Sequence, residues 1–364
     1  MLLTPCTPDE LSRHLPAALR GEKVLAPLGP DPAAELAMLR PEQPVTEPGA
    51  AVVVSTSGST GTPKGVVLSA AALLAAAESA QQLLGRCTWT CPLPTHYVAG
   101  LMVLVRAQVA GTAVRMASSD LSDLDPAPGA NAISLVPTQL FRALEQPGVL
   151  DRLRRFTILL GGAAVDPAVL AHARGLGLDV RTTYGMSETC GGCVWDEEPL
   201  PGVEVLLGPQ GRIRLTGDMV FSGYRLREDL TAEVLGHEAG GRRAVLTADR
   251  GELVDGRLRV LGRLDDVVIS GGVNVDLAQV QRAVDAVAPG SSQVLALPDA
   301  EWGQLVTLAT TTGHDLQWWR DALAEQLGRA ALPRHLVHLD VLPRTSSGKI
   351  DRQALNRQLA AGRH

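Results

Sequence analysis

Ala50-Ala51-Val52-Val53-Val54-Ser55-Thr56-Ser57-Gly58-Ser59-Thr60-Gly61-Thr62-Pro63-Lys64-Gly65 is an apolar run that empties into glycines, hydroxyls and one lysine. A strand ending this way suits a polyphosphate. Glycine lets backbone N–H groups come close to an anion, the hydroxyls add donors and the lysine adds a point charge. The stretch is not a Walker A loop, which needs a second glycine five residues after the first, then Lys-Ser/Thr. Five residues on from Gly58 stands Pro63, and Gly65 follows Lys64. Nucleotide chemistry other than P-loop phosphoryl transfer is therefore expected. A plain Gly/Ser/Thr surface turn is the competing reading, and the density of the composition directly after a strand weighs against it.

The remaining 348 residues must build the rest of such a site, since the chain has 364 and the quoted stretch 16. That length suits two or three domains. Apolar residues make up 45% and aromatics only 3%, so the core is Ala, Val and Leu. The charge balance, 33 Lys+Arg against 39 Asp+Glu, has no basic cluster, which argues against a nucleic-acid partner. The first residues lack a cationic stretch followed by an apolar core, so no secretory signal is read and a cytoplasmic location is expected. Tyr97 to Val114 comes nearest to a membrane span, but Arg106 and Gln108 lie in its middle. A central arginine costs about 2.5–3.5 kcal/mol on insertion scales, so a buried segment with a functional arginine is expected and no membrane insertion. Cys6, Cys87, Cys91, Cys190 and Cys193 are an odd set that reads as reduced, buried thiols rather than zinc ligands.

Residues 1–50 read as Pro-rich and irregular, with a short helix near Glu10–Leu19. Beyond the loop, helix and strand alternate. Ser69–Leu84 is a helix stopped by Gly85, Asn131–Val136 a strand, and Pro137 opens a helix. Phe156–Leu160 is a buried strand, Asp166-Pro167 to Gly175 a capped helix and Asp179–Thr183 a strand. The fold class is α/β with α+β pieces, helices packing on largely parallel sheet. From Val203 to Leu261 short alternating runs (Val203–Leu207, Arg212–Thr216, Ala244–Thr247, Arg257–Leu261) suggest an antiparallel, barrel-like part. Helix Asp276–Val287, strand Val294–Leu297, helix Asp315–Leu327 and a strand near Leu336–Leu342 follow. The boundary falls near Asp265, giving a large domain over 1–264 and a small α/β domain over 265–364.

Three further clusters carry chemistry. Thr183-Tyr184-Gly185-Met186-Ser187-Glu188-Thr189 follows a strand, so its polar groups should emerge at a carboxyl edge, where open α/β sheets bind ligands. Glu188 can hold Mg²⁺ through oxygen, Thr189 can donate to a phosphate and Tyr184 offers a flat face to a base. Asp249, at the end of a short strand, can accept both ribose hydroxyls. Pro343-Arg344-Thr345-Ser346-Ser347-Gly348-Lys349-Ile350 puts a lysine on a Gly/Ser loop that can reach another domain's cleft. Ser346-x-x-Lys349 also has the spacing of penicillin-recognising serine enzymes, but the Ser-Asp-Asn and Lys-Thr-Gly strings those enzymes need are missing.

In their order, Thr56–Gly65, Gly161-Gly162-Ala163, Tyr184–Thr189, Asp249, Gly262–Asp266 and Pro343–Lys349 resemble the adenylate-forming acyl-CoA synthetase superfamily, from about Ala51 to Leu355. Leu93-Pro94-Thr95-His96, Ser134–Leu140, Leu160–Ala164, Pro199–Gly202 and Ser270-Gly271-Gly272 narrow the resemblance to the o-succinylbenzoate–CoA ligases of menaquinone biosynthesis.

That resemblance implies an acid–thiol ligase using ATP, Mg²⁺ and coenzyme A. A carboxylate attacks the α-phosphorus, releasing pyrophosphate, and the coenzyme A thiol then displaces AMP. Thr56, Ser57, Gly58, Ser59, Thr60, Gly61 and Lys64 would hold the β- and γ-phosphates. Gly162, Ala163, Tyr184 and Gly185 would surround adenine. Glu188 with Thr60 would bind the metal, and Glu188, Thr189, His96 and Lys349 would form the catalytic group. Asp249 and Arg263 would bind ribose, with Lys349 bridging substrate carboxylate and α-phosphate. Asp265 would be the hinge of a small domain that turns between half-reactions, and Gly271-Gly272 would let the pantetheine pass. His96, Arg106 and Thr138 would line the acid pocket, with Arg106 facing the carboxylate that is not activated or else pairing inside the core.

Two departures stand out. The segment before the nucleotide loop is short for the family, and the usual Thr-Gly-Asp is Thr247-Ala248-Asp249, while Thr216-Gly217-Asp218 keeps the string at another place. The rivals are a synthetase for another aryl, fatty or amino acid and a non-catalytic nucleotide-binding scaffold. The sequence leaves a homo-oligomer open.

Overall fold

The structure, a computed structural model, describes residues 1–56, 63–344 and 350–361. It divides into two compact units. One comprises Met1–Leu206, Arg214–Thr247 and Val254–Leu258, the other Leu207–Ile213, Ala248–Leu253 and the chain from Arg259 on.

The first unit begins with a corrected expectation, for residues 1–50 are regular. Strand β1 (Leu3–Cys6), helix α1 (Pro8–Leu19), strand β2 (Val24–Pro27) and helix α2 (Pro32–Leu39) lead into β3 (Ala50–Thr56). β1, β2 and β3 run parallel, and β4 (Lys64–Ser69) returns antiparallel to β3. Three of the prolines that made the segment read as irregular occupy positions that tolerate them, while Pro16 lies inside α1. Pro8 and Pro32 open helices, where the missing N–H costs nothing, and Pro5 lies in β1 at the edge of its sheet. Thr7 and Glu10 form a capping box on α1, and Asp31 accepts from Ala34 N–H on α2. The buried Arg225 guanidinium holds the end of this segment. It donates to the carbonyls of Leu39 (3.1 Å), Arg40 (3.0 Å), Gln43 (2.6 Å) and Pro44 (2.7 Å). Arg225→Met should leave four carbonyls without their donor and lower unfolding stability by on the order of 3 kcal/mol or more, read by urea denaturation; an unchanged midpoint would refute this anchoring role.

After α3 (Ala70–Leu84), capped by Ser69 and ended at Gly85, come β5 (Thr88–Cys91), α4 (Val98–Ala110), β6 (Arg115–Met116) and β7 (Asn131–Leu135). They are followed by α5 (Pro137–Leu144), α6 (Pro147–Leu153), β8 (Thr157–Leu160), α7 (Pro167–Gly175), β9 (Asp179–Met186), β10 (Gly191–Trp195) and β11 (Glu198–Pro199). The seven-stranded sheet has the order β11-β10-β9-β8-β7-β5-β6. Its β6, β5, β7, β8 and β9 are parallel, whereas β10 and β11 turn antiparallel. Alternate residues serve opposite faces. Ile133, Leu135, Ile158 and Leu160 pack with Leu140, Leu153 and Phe156, while Ala132 and Leu159 pack with Val103 and Ala107 of α4. A sheet covered on both faces explains why β8 reads as an apolar run and why even Asn131 and Ser134 of β7 are buried.

β12 (Glu204–Leu207), β13 (Arg212–Thr216), β14 (Gly223–Tyr224), α8 (Glu228–Val234), β15 (Leu235–His237), β16 (Arg243–Val254) and β17 (Arg257–Arg263) come next. β14 joins β4 in the first sheet, and the others form a sheet of order β12-β13-β16-β15 with β17 on β16. β16 is longer than its expected four residues, so Asp249 lies inside a strand rather than at the end of one.

The second unit holds β18 (Val267–Ser270), β19 (Val273–Asp276), α9 (Leu277–Val287), β20 (Ser292–Asp299), β21 (Gly303–Thr310), α10 (Leu316–Leu323), β22 (His335–His338) and α11 (Arg352–Ala361). α10 ends earlier than expected, the chain continuing in turns after Leu323. Val294, Val306 and Leu308 pack with α9 and α10 through Val280, Val284 and Trp319. Leu295, Leu297 and Ala309 face the other way, onto Leu342 and onto Leu355 and Leu359 of α11. Among the described residues no helix is long and apolar enough to cross a membrane.

Candidate active site

Thr56 and Lys64 are register partners at the loop end of the β3–β4 hairpin, so the chain leaves and re-enters the sheet at one place. Ser57, Gly58, Ser59, Thr60 and Gly61 lie outside the described residues. Lys64 is half-buried, and its ammonium donates to Tyr224 Oη at 2.6 Å and lies 3.2 Å from Glu188 Oε1. Tyr224 in turn donates to Glu188 Oε1 at 2.6 Å. The Lys64 nitrogen also sits 3.8 Å from the centroid of the Tyr224 ring. Burial, and then the Glu188 carboxylate, hold the Tyr224 phenol well above its usual value, so it stays a donor. A buried carboxylate is tolerable here because one hydroxyl and one cation meet it. Tyr224 was not singled out as a site residue from the sequence; its pairing with Glu188 spans 36 residues and leaves no local signal.

Thr183, Tyr184, Gly185 and Met186 do not follow β9 but continue it, a correction to the expected loop. Beyond Thr182, where pairing with β8 ends, this stretch pairs antiparallel with β10 instead. A Cβ on Gly185 would stand 2.1 Å from the Gly191 carbonyl, so close packing of β9 on β10 itself demands glycine there. The Thr189 side chain is fully buried, accepts from Met186 N–H at 2.9 Å and donates to Gly191 O at 2.8 Å, closing the turn after Glu188. Gly162 and Ala163 follow the carboxyl end of β8, and Tyr184 lies two residues past the Leu160–Thr182 pair on the neighbouring strand. Gly162 has φ +86°, a conformation that favours glycine. Thr138 stands in the first turn of α5, just after the carboxyl end of β7. The residues expected to surround adenine and to line the acid pocket, Gly162, Ala163, Tyr184 and Thr138, thus share one sheet edge.

His96 lies just before α4. Its Nε2 is buried without a partner, and burial lowers the imidazole pKa, which the Glu35 carboxylate partly opposes. Glu35 of α2 accepts from Gly29 N–H at 3.0 Å and from Ser55 Oγ at 3.3 Å. A Cβ on Gly29 would meet both Glu35 and His96, at 2.6 and 3.1 Å. No local signal marks Glu35, whose segment reads as irregular in the sequence and is helix α2 in the structure. Arg106, on α4, is 6% exposed, and its guanidinium carbon lies 5.3 Å from the Trp89 ring centroid. Its Nε has no hydrogen-bond partner, and among the described residues no carboxylate pairs with it. Burial pushes its pKa down to about 10, which still leaves a cation at neutral pH. Cys190 and Cys193 are free and buried, and burial pushes both thiols up to about 12.

Within the second unit, Arg263 forks onto Asp265, Nε to Oδ1 at 2.8 Å and Nη2 to Oδ2 at 2.7 Å. Its Nη1 lies 3.7 Å from Asp249 Oδ1. Gly271 and Gly272 form the two-residue turn between β18 and β19, with φ +58° and +81°. A Cβ on Gly271 would strike the Trp302 ring at 2.6 Å. Lys349 lies outside the described residues.

Residues 8–225 match the model of the AMP-binding enzyme family. A probable 2-succinylbenzoate–CoA ligase of Mycobacterium tuberculosis is 37% identical over 329 residues, 85% of each chain. The 2-succinylbenzoate–CoA ligase of Lactococcus lactis is 29% identical, with 84% of this chain and 70% of that protein aligned. Among solved structures, the o-succinylbenzoate CoA synthetase of Bacillus subtilis with its acyl-adenylate intermediate superposes with a TM-score of 0.74 at 25% identity, covering 94% of this chain and 80% of that one. The same enzyme with ATP and magnesium gives 0.72 at 26% identity, covering 85% and 70%. With the β3–β4 hairpin, the buried Glu188 and the shared sheet edge in place, these likenesses identify the chain as a member of the AMP-binding enzyme family.

Proposed function

We propose that this protein joins o-succinylbenzoate to coenzyme A, using ATP. A substrate carboxylate oxygen attacks the α-phosphorus, and pyrophosphate leaves with the P–O bond's electrons. The coenzyme A sulfur then attacks the acyl carbon of the adenylate, and AMP leaves. The difficulty is electrostatic. Two anions must meet, and the transition state gathers more negative charge between them, so preplaced cations are the remedy. Lys64 and the Thr56–Gly61 stretch take the outer phosphates, and Lys349 serves the α-phosphate and the attacking carboxylate. Glu188, with Thr60, suits magnesium, which binds through one or two carboxylates plus substrate phosphates and supplies neutralising charge. Gly162, Ala163, Tyr184 and Gly185 surround adenine, Asp249 and Arg263 hold ribose, and Thr189 shapes the turn under Glu188. His96 and Thr138 border the acid, and Gly271-Gly272 give passage to pantetheine. The chain works as two domains, 1–264 and 265–364, hinged at Asp265.

The observation that carries the choice of acid is Arg106, a buried cation with no carboxylate beside it among the described residues. Succinylbenzoate brings two carboxylates, one activated and one retained, and the retained one answers that cation. Thioester formation with ATP should favour o-succinylbenzoate over benzoate and a medium-chain fatty acid by at least about 10²-fold in kcat/KM. Comparable use of all three would remove this reading.

A further inference from the structure

Adjacent carboxylates at the proposed hinge face different arginines. Asp265 is held by Arg263, whereas Asp266, 9% exposed, accepts from Arg352 Nη1 at 2.6 Å. Arg352 is the first residue of α11, and Asp351 before it caps the helix through Ala354 N–H at 2.9 Å. Asp351 N–H also donates to Pro343 O at 2.8 Å, and Arg344 and Ile350 form an isolated antiparallel bridge. The ends of the stretch that carries Lys349 are thus drawn together directly beside the residue that grips Asp266.

Leu342 and Ile350, on either side of the Lys349 stretch, pack in an apolar cluster that includes no residue of the hinge turn. α11 is anchored by Leu355 and Leu359 on the β20–β21 face. Where Asp266 meets Arg352 there is instead a cleft of about 440 Å³, lined by Asp265, Val268, Leu295, Gln304 and Asn356 among others. Helix and hinge turn are joined there by the ion pair across a gap. A charge-assisted hydrogen bond fixes direction as well as distance, which a few loose apolar contacts would not.

We infer that Asp266 and Arg352 are positioning residues for acyl-adenylate formation: their ion pair sets the base of the Lys349 segment relative to the hinge turn. The inference rests on the catalytic role proposed for Lys349. A misplacement of about 1 Å far from the reacting atoms can cost up to about 10²-fold in rate, so a measurable effect is expected from a pair that touches no substrate.

The test measures the half-reactions separately. Asp266→Asn and Arg352→Met should each slow pyrophosphate release roughly tenfold. Thioester formation from supplied acyl-adenylate should change by less than about twofold, and Arg352→Lys, which can still donate the single charge-assisted bond, should retain most of the adenylation rate. In a Lys349→Ala background, Asp266→Asn should have no further effect, since both changes act on one group. The exchanged pair, Asp266→Arg with Arg352→Asp, should recover part of the lost rate. An equal fall in both half-reactions, an undiminished effect in the Lys349→Ala background, or full adenylation by both single variants would overturn the assignment. If Lys349→Ala alone leaves adenylation intact, it is the catalytic lysine that fails, a result visible without either pair variant.

Discussion

Lys349→Ala is expected to slow acyl-adenylate formation by on the order of 10²–10³-fold, about 3–4 kcal/mol of transition-state stabilisation. The reason is the charge that builds when a carboxylate reaches the α-phosphorus. An ammonium arriving there neutralises charge that neither reactant can disperse. The second half-reaction needs no such cation, because the leaving group is already an adenylate. Pyrophosphate release should therefore collapse while thioester formation from supplied acyl-adenylate continues. Equal losses in both steps would show that the lysine holds the protein together rather than the transition state.

Arg106→Leu carries the second large effect, with opposite signs in two measurements. A guanidinium whose pKa has been pushed down to about 10 by burial is held in its charged form at a cost to the fold. The sign follows from linkage. The unfolded chain binds that proton more tightly, so at neutral pH the native state gives up stability, a loss that fades only as pH rises past about 10. Leucine relieves it, and the unfolding midpoint should hold or rise. The same change removes the partner of the retained substrate carboxylate. KM for o-succinylbenzoate should then rise on the order of 10²-fold, about 3 kcal/mol, with KM for ATP nearly unchanged. A lower midpoint, or equal shifts in the two KM values, would make Arg106 a structural residue.

Much of the architecture was legible because its signals are local. Ser69, Asp166 and Asp276 cap helices within three residues of themselves, and β8 declares its double burial as an apolar run. The family was legible as well, since its motifs recur in a fixed order and the match over residues 8–225 agrees. What stayed hidden depends on distant partners. Gly185 reads as a loop residue until β10 is seen lying against it. The prolines of the first fifty residues read as breaks until their helix starts and edge strand are known. Tyr224 and Lys64 are 160 residues apart and meet directly, beside Glu188. Glu35 and His96 come together around Gly29, and nothing near either of them in the sequence foretells it.

The cation that ties down Leu39 through Pro44 is encoded 186 residues after the first of those carbonyls. A ribosome adds roughly 5–20 residues each second, so the opening segment is outside the tunnel for about ten seconds or more before its clamp exists. During that interval its strands can pair only with one another and with the phosphate-loop hairpin. The beginning of this protein is finished by something made past its middle, so nascent chains too short to bring residue 225 out of the tunnel should be cut by protease in the Leu39–Pro44 stretch, and longer ones spared.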